Sequence, residues 1–339
     1  MSDVLVCTDA HLERKVLIKA LKATTDKRRL LDELAALQSI RSKHVVQIYD
    51  VVYDSAGEIG AIVEEFLPGA DLRGAPRPGS AQEFLKLVYQ IAEGIADIHA
   101  HNRVHRDIKP INMKFDAEGC LKIFDFGLSR LEDVDASTVG IVGTPGYLAP
   151  ELFRADPRGR VTFSAAVDVF AFGTTALFLI LGRVPPSLRS LPPRLPNADV
   201  NFSNAKFELP TDLENLLNAC FADNPDDRPA MADIASAAKR HLLFDRHRAL
   251  LTSGANVYSL DSSQRKVNLS VSGHGSLRLS YDGLQFSVTA VSGDVSINNM
   301  PVNVGYVLPG SCVVVLGATA LGTRRTFITI DVSHPEVAL

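Results

Sequence analysis

The chain has 339 residues, with 35 Lys and Arg against 39 Asp and Glu, a formal net charge of -4, 46% hydrophobic and 22% charged residues. This is an ordinary globular balance, with length for one large core and one small one, and it provides no basic field to draw in nucleic acid. Cys7, Cys120, Cys220 and Cys312 form no Cys-x-x-Cys pair, which argues against a zinc site or a disulfide scaffold and fits a reducing cytoplasm.

In chain order, the opening Met1 to Val6 lacks a charged region followed by a long apolar run, so no signal peptide is expected. Lys15 to Lys19 reads as a strand and Asp26 to Ile40 as a helix, followed by apolar runs at Val45 to Tyr53 and Ile59 to Phe66. Ser80 with Glu83 three residues on predicts a capping box. Phe84, Val88, Ile91, Ile95 and Ile98 then recur at the spacing of one buried helical face. The most apolar stretch, Val169 to Leu181, is interrupted by Gly173, Thr174 and Thr175 and falls short of the roughly 20 residues a bilayer requires. A buried core helix is expected there. Helices continue to about Phe244, separated by Pro- and Gly-rich loops such as Pro185 to Pro196. Beyond that point the period changes to two. Val267/Leu269/Val271, Leu277/Leu279, Leu284/Phe286/Val288 and, more loosely, Phe327/Ile330 predict strands. Asp282-Gly283, Ser292-Gly293, Asn298-Asn299 and Pro309-Gly310 predict the turns between them.

Three runs carry chemistry: His105-Arg106-Asp107-Ile108-Lys109-Pro110-Ile111-Asn112, Asp125-Phe126-Gly127, and Gly143-Thr144-Pro145-Gly146-Tyr147-Leu148-Ala149-Pro150-Glu151. With Val16-Leu17-Ile18-Lys19 and Glu33 upstream, in that order, the chain resembles the eukaryotic-like (Hanks-type) Ser/Thr protein kinase family. The resemblance implies a two-lobed kinase fold with a shortened N-lobe over residues 1–246, and the period-two runs beyond it predict an all-β sandwich over 247–339, an α+β class together.

Phosphoryl transfer depends on positioning and on neutralising charge spread over phosphate oxygens, which suits these residue types. The resemblance implies that Asp107 orients the substrate hydroxyl and that Lys109 holds the γ-phosphate of ATP. By the same resemblance Asn112 and Asp125 would supply the hard oxygen ligands that Mg²⁺ prefers. Lys19, paired with Glu33, would hold the α- and β-phosphates, and Glu65 and Leu67 would meet the adenine. Lys109-Pro110 and Thr144 mark the Ser/Thr branch. Glu64 stands where an apolar residue is commoner and is expected to tune the adenine pocket. Asp168 is expected to hold the catalytic loop's backbone, and Glu151 with Arg228 to form a buried ion pair. His99, His101 and His105 could suggest a metal, but their place at the entry to the catalytic loop favours structural roles.

The family normally opens with a strand and a Gly-rich loop over the phosphates. Here Val4 to Asp9 already reads as the second strand, so weaker ATP binding is expected. Arg106 before Asp107 is the arrangement of kinases ordered by an activation-segment phosphate, and Ser137, Thr138 and Thr144 are the candidate hydroxyls. Ser137 and Thr138 would take the phosphate; Thr144 would be structural or position the substrate. The last ninety residues resemble, faintly, a forkhead-associated domain: Val271-Ser272-Gly273-His274, Val295-Ser296-Ile297-Asn298-Asn299 and Leu308-Pro309-Gly310. Gly273 replaces an expected Arg, so docking without a phosphate is anticipated. The alternatives are a pseudokinase scaffold or a phosphopeptide-binding adaptor. Retention of Lys19, Asp107 and Asp125 argues against the first, and phosphothreonine binding by residues 250–339 would favour the second. Partners implied are protein substrates, with no nucleic acid and no membrane.

Overall fold

The computed structural model describes residues 4–20, 34, 38–57, 59–125, 143–154, 163–333, 335 and 337. The chain divides into two compact units, residues 1–239 and 240–338. Most of the helix expected over Asp26 to Ile40 lies outside the described residues.

In the first unit β1 (Val4–Asp9), β2 (Arg14–Ala20), β3 (Ile48–Tyr53) and β4 (Ile59–Glu65) form an antiparallel sheet in the order β1-β2-β4-β3. The strand expected over 15–19 is present and one residue longer at each end. The run from Val45 splits. Its later part is β3, whereas Val45 bridges Ile123 and the Val46 N–H donates to the Ile123 carbonyl at 2.9 Å, a long-range pairing that local pattern does not reveal.

Helix α1 (Ala81–Ala100) buries its predicted stripe, with Phe84, Val88, Ile91, Ile95 and Ile98 fully out of water. Each such side chain contributes about 1.5–3 kcal/mol of gross hydrophobic stabilisation. The capping box is shifted. Ser80 Oγ accepts from the Glu83 N–H at 3.2 Å as expected, but Glu83 Oε2 accepts from the Gly79 N–H at 2.7 Å instead of closing on Ser80. After α1 come a short hairpin, β5 (Met113–Phe115) with β6 (Leu121–Ile123), and then helix α2 (Ala165–Leu181). Every residue of α2 from Val167 to Leu177 is buried, and the helix stops at Gly182, whose φ of 71° is left-handed and free of strain only without a Cβ. Helices α3 (Pro186–Arg189), α4 (Thr211–Ala219) and α5 (Met231–Leu243) follow. Among the described residues no helix is long and apolar enough to cross a membrane.

In the second unit β7 (Ala249–Ser253), β8 (Asn256–Leu260), β12 (Val295–Ile297), β13 (Met300–Pro301), β14 (Cys312–Leu316) and β15 (Thr326–Val332) make one sheet, ordered β13-β12-β14-β15-β7-β8. Strands β9 (Lys266–Val271), β10 (Gly275–Tyr281) and β11 (Phe286–Gly293) make a second, ordered β11-β10-β9. Alternate residues of both, including Leu251, Leu269, Leu279, Val288, Val314 and Ile330, share one apolar core. The strand expected at Phe327 and Ile330 is present as β15, and three details of the expected pattern need correction. Phe327 is 49% exposed while Ile328, Ile330 and Val332 are buried, so Phe327 and Ile330 lie on opposite faces, as an odd spacing in a strand requires. Leu284 belongs to the turn before β11. Ser292-Gly293 is no turn but the end of β11, paired with Ser276 and Gly275. Asn298-Asn299 does turn, with φ of 49° and 66° at the two residues between β12 and β13.

Candidate active site

The hairpin β5–β6 sets the site's geometry. Met113 pairs with Ile123, so Asn112, just before β5, and Phe124-Asp125, just after β6, emerge side by side; the Phe124 N–H donates to the Asn112 carbonyl at 3.0 Å. Gln90, buried on α1, accepts from the Leu121 N–H at 2.7 Å and holds the hairpin against the helix. Sequence reading missed Gln90, although a lone amide beside Ile91 on an apolar stripe was a visible signal.

The loop from His105 to Asn112 hangs on Asp168, which is fully buried in the first turn of α2. Asp168 Oδ2 accepts from the His105 N–H at 2.7 Å and Oδ1 from the Arg106 N–H at 2.8 Å; His99 Nε2 stands 3.0 Å from Oδ2. The positive end of α2 further favours a carboxylate there. His105 is buried, which pushes its pKa down against the opposing pull of Asp168 and keeps the ring neutral. Its Nδ1 accepts from the Asp107 N–H at 3.3 Å, so Nε2 carries the proton donated to the Phe124 carbonyl, 3.1 Å away. One imidazole thereby ties the Asp107 backbone to the residue before Asp125. Arg106 takes a left-handed φ of 68° and lies 5.4 Å over the Phe163 ring.

At the centre, Asp107 Oδ2 lies 2.8 Å from Lys109 Nζ and accepts from Asn112 Nδ2 at 2.9 Å; Asn112 Nδ2 also donates to the Asp107 carbonyl at 2.8 Å. Asn112 thus commits its amide nitrogen to Asp107 and keeps Oδ1 as a hard oxygen. Lys109 Nζ reaches Thr144 Oγ1 at 3.0 Å, linking the loop to the Gly143–Tyr147 run. Lys19 Nζ contacts the carboxylate of Asp125, which takes a left-handed φ of 62°. The structure therefore brings Lys19, Asp107, Lys109, Asn112, Asp125 and Thr144 into two linked ion-pair groups. Two hard oxygen donors, from Asn112 and Asp125, fit a divalent cation such as Mg²⁺.

Glu65 lies at the end of β4, where Lys122 Nζ meets its Oε1 at 2.8 Å and the Gln47 N–H donates to its Oε2 at 3.2 Å; Leu67 is buried. Glu64 pairs with Leu17 across the sheet, and alternation along β2 puts it on the same face as Lys19. Burial pushes the Glu64 carboxyl up, with Lys19 opposing and Asp125 reinforcing that shift. Glu33, Ser137, Thr138, Phe126 and Gly127 lie outside the described residues.

The remaining candidates are scaffold. Arg228 Nη1 and Nη2 each meet a Glu151 oxygen at 2.7 Å, while Nη1 and Nε donate to the Ala166 and Ala222 carbonyls at 2.8 and 2.9 Å. His101 Nδ1 lies 2.8 Å from the Asp97 carbonyl. Among the described residues no group of three or more His, Cys, Asp or Glu could hold a metal ion.

Comparison with known proteins adds to this geometry. Residues 1–241 match the family described as "Protein kinase domain". The chain is 32% identical over 240 residues to the serine/threonine-protein kinase PkaA of Streptomyces coelicolor, covering 65% of this chain and 41% of that protein. It is 28% identical over 246 residues to the serine/threonine-protein kinase PknB of Mycobacterium leprae, covering 67% and 39%. The serine/threonine-protein kinase ssp1 of Schizosaccharomyces pombe is 27% identical over 235 residues, covering 66% and 36%. The chain thus spans well under half the length of these relatives.

Proposed function

The chain belongs to the protein kinase domain family, and from that premise we propose that it is an ATP-dependent Ser/Thr kinase that transfers the γ-phosphate of ATP to hydroxyls of protein substrates in the cytoplasm. The observation that carries this is the Asp107 carboxylate, held between Lys109 and Asn112 beside the Lys19–Asp125 pair. Asp107 accepts the hydrogen bond of the substrate hydroxyl and takes its proton as the new O–P bond forms. The bond from the γ-phosphorus to the bridging oxygen breaks, and ADP leaves with that electron pair. Lys109 neutralises the transferring phosphoryl oxygens, and Lys19, supported by Glu33, turns from Asp125 to the α- and β-phosphates. Asn112 Oδ1 and Asp125 would hold Mg²⁺, which offsets charge on the phosphate oxygens. The backbone at Glu65 and Leu67 would meet the adenine, with Glu64 tuning that pocket.

Arg106 would receive a phosphate placed on Ser137 or Thr138, making the enzyme self-activating, with Thr144 positioning substrate through Lys109. In the second unit, the lack of arginines placed to clamp a phosphate supports docking of proteins without one. Arg265 is already engaged, its Nη2 2.6 and 2.7 Å from the two Asp245 oxygens, and Arg278 is exposed between the buried Leu277 and Leu279. Phosphate readers need such arginines free and converging.

The deciding experiment is incubation of the purified chain with Mg-ATP and a protein acceptor, followed by phosphosite mapping. Phosphate should appear on Ser or Thr of the acceptor and on the 126–150 segment. Both should fall by about 10²–10⁴ in Asp107→Ala. Undiminished transfer by that variant would overturn the assignment.

A further inference from the structure

Arg73, Arg77, Arg183, Arg189 and Arg194 are all exposed, in a protein whose net charge is negative. None has an ion-pair partner among the described residues. They come from two stretches of the first unit that converge on the loop carrying Thr144. Arg73 lies close enough to the half-buried Tyr147 for its charge to oppose the upward push of burial on that phenol's pKa. Arg189 runs alongside Gly146, its Cγ 3.6 Å from where a Cβ there would stand, and Arg77 lays its guanidinium over Gly182, so close that a Cβ would collide with it. Arg183 is next in sequence to Gly182, and the Arg194 N–H anchors to the Ser187 carbonyl of α3 at 2.9 Å.

The local carboxylates do not neutralise this rim. From Gly182 to Ala198 there is no acidic residue. Asp71 Oδ1 accepts from the Gly74 N–H at 2.9 Å, and Asp199 Oδ2 from the Ser187 N–H at 3.2 Å. Neither pairs with an arginine. Thr144 is bonded to Lys109, and Lys109 to Asp107, so the rim begins two side chains from the carboxylate that orients the acceptor.

We propose that this arginine rim selects protein substrates whose acceptor Ser or Thr lies within a few residues of several carboxylates. The inference rests on the kinase reading above and names its substrate class. Charge complementarity picks an occupant within the protein itself. Glu132, Asp133 and Asp135 directly precede Ser137 and Thr138, so that segment of a second copy has the required chemistry.

The probes are a peptide spanning 130–142 and a neutral twin with Glu132→Gln, Asp133→Asn and Asp135→Asn. With full-length protein and Mg-ATP at low salt, the acidic peptide should show kcat/KM roughly tenfold higher, since each exposed pair is worth about 1.5- to fivefold. The gap should close as salt is raised. The triple variant Arg73→Ala/Arg77→Ala/Arg189→Ala should raise KM for the acidic peptide to that of its twin with kcat unchanged. Equal KM values for the two peptides, or an unchanged preference in the triple variant, would overturn the proposal. Anisotropy binding of labelled peptides to nucleotide-free protein separates the two readings. If no peptide is phosphorylated, the kinase assignment fails, yet acid-dependent binding lost in the triple variant still upholds the rim. Equal binding of both peptides sinks it.

Discussion

The two units hold their chains in place by opposite means. Around Asp107 the backbone is fixed by polar groups taken out of water: Asp168 under His105 and Arg106, His105 between Asp107 and Phe124, Arg228 between Glu151 and two carbonyls. In the second unit the backbone is fixed by ladder pairing over alternating apolar residues, with carboxylates such as Asp261 and Asp282 capping backbone N–H groups at turns. Two pairs of left-handed residues illustrate the same division. Arg106 and Asp125 flank the site at φ of 68° and 62°, whereas Asn298 and Asn299, which tolerate that region, make a hairpin turn. Apolar alternation suffices to build a sheet, but holding two carboxylates and two lysines in register requires directional bonds in a low dielectric, with strain absorbed by the surrounding structure.

The comparison breaks most visibly at Arg228. Arg228→Ala leaves Glu151 without its bidentate partner in the interior and should cost about 3–5 kcal/mol, read as a lower midpoint in urea unfolding. A loss under 1 kcal/mol would mean that apolar packing carries the first unit as well. Tyr281→Phe tests the second unit's exception. Its hydroxyl donates to the Gly283 carbonyl at 2.6 Å and accepts from the His247 N–H at 3.2 Å, so removal should cost about 1–3 kcal/mol, with loss of amide protection near residues 281–283.

Acid should separate the units more gently. Burial holds the pKa of His44 below its ordinary value, against a weaker pull from its bond to the Leu121 carbonyl. The unfolded chain therefore binds the proton first. His44's contribution is intact above pH 6.5 and is lost as pH falls from there through its lower folded value, with a slope of up to about 1.4 kcal/mol per pH unit. Hydrogen exchange of peptides covering 120–124 should quicken from pH 6.5 to 5, after correction for intrinsic rates, and His44→Gln should flatten that trend. An identical trend in the variant would assign it elsewhere. The smallest effect is expected at exposed Arg278, where alanine should move the unfolding midpoint by no more than about 0.5 kcal/mol and leave acceptor phosphorylation unchanged.

The motif residues, the α1 stripe, the core helix at 169–181 and the paired alternations of β9 and β10 were legible in the sequence, because each expresses a local period or a residue order that the chemistry demands. Phe327 and Ile330 do mark a strand, β15, but the loose match concealed that their odd spacing puts them on opposite faces. The split of the Val45 run was not legible, because pairing with Ile123 is decided across 78 positions of chain.

By itself the sequence determined that the chain carries a protein kinase domain and which residues are the candidates to orient a hydroxyl, grip phosphates and ligate a cation, since a family's motifs are written in side-chain type and order. Only the tertiary structure decided how they are held. It showed that Asp168 carries the loop, that His105 is a neutral bridge between Asp107 and Phe124, that Arg265 is spent on Asp245, and that arginines from two separate stretches approach the Gly143–Tyr147 run. Burial, protonation and convergence are properties of the space around a group, and that space is set by segments far apart in the chain.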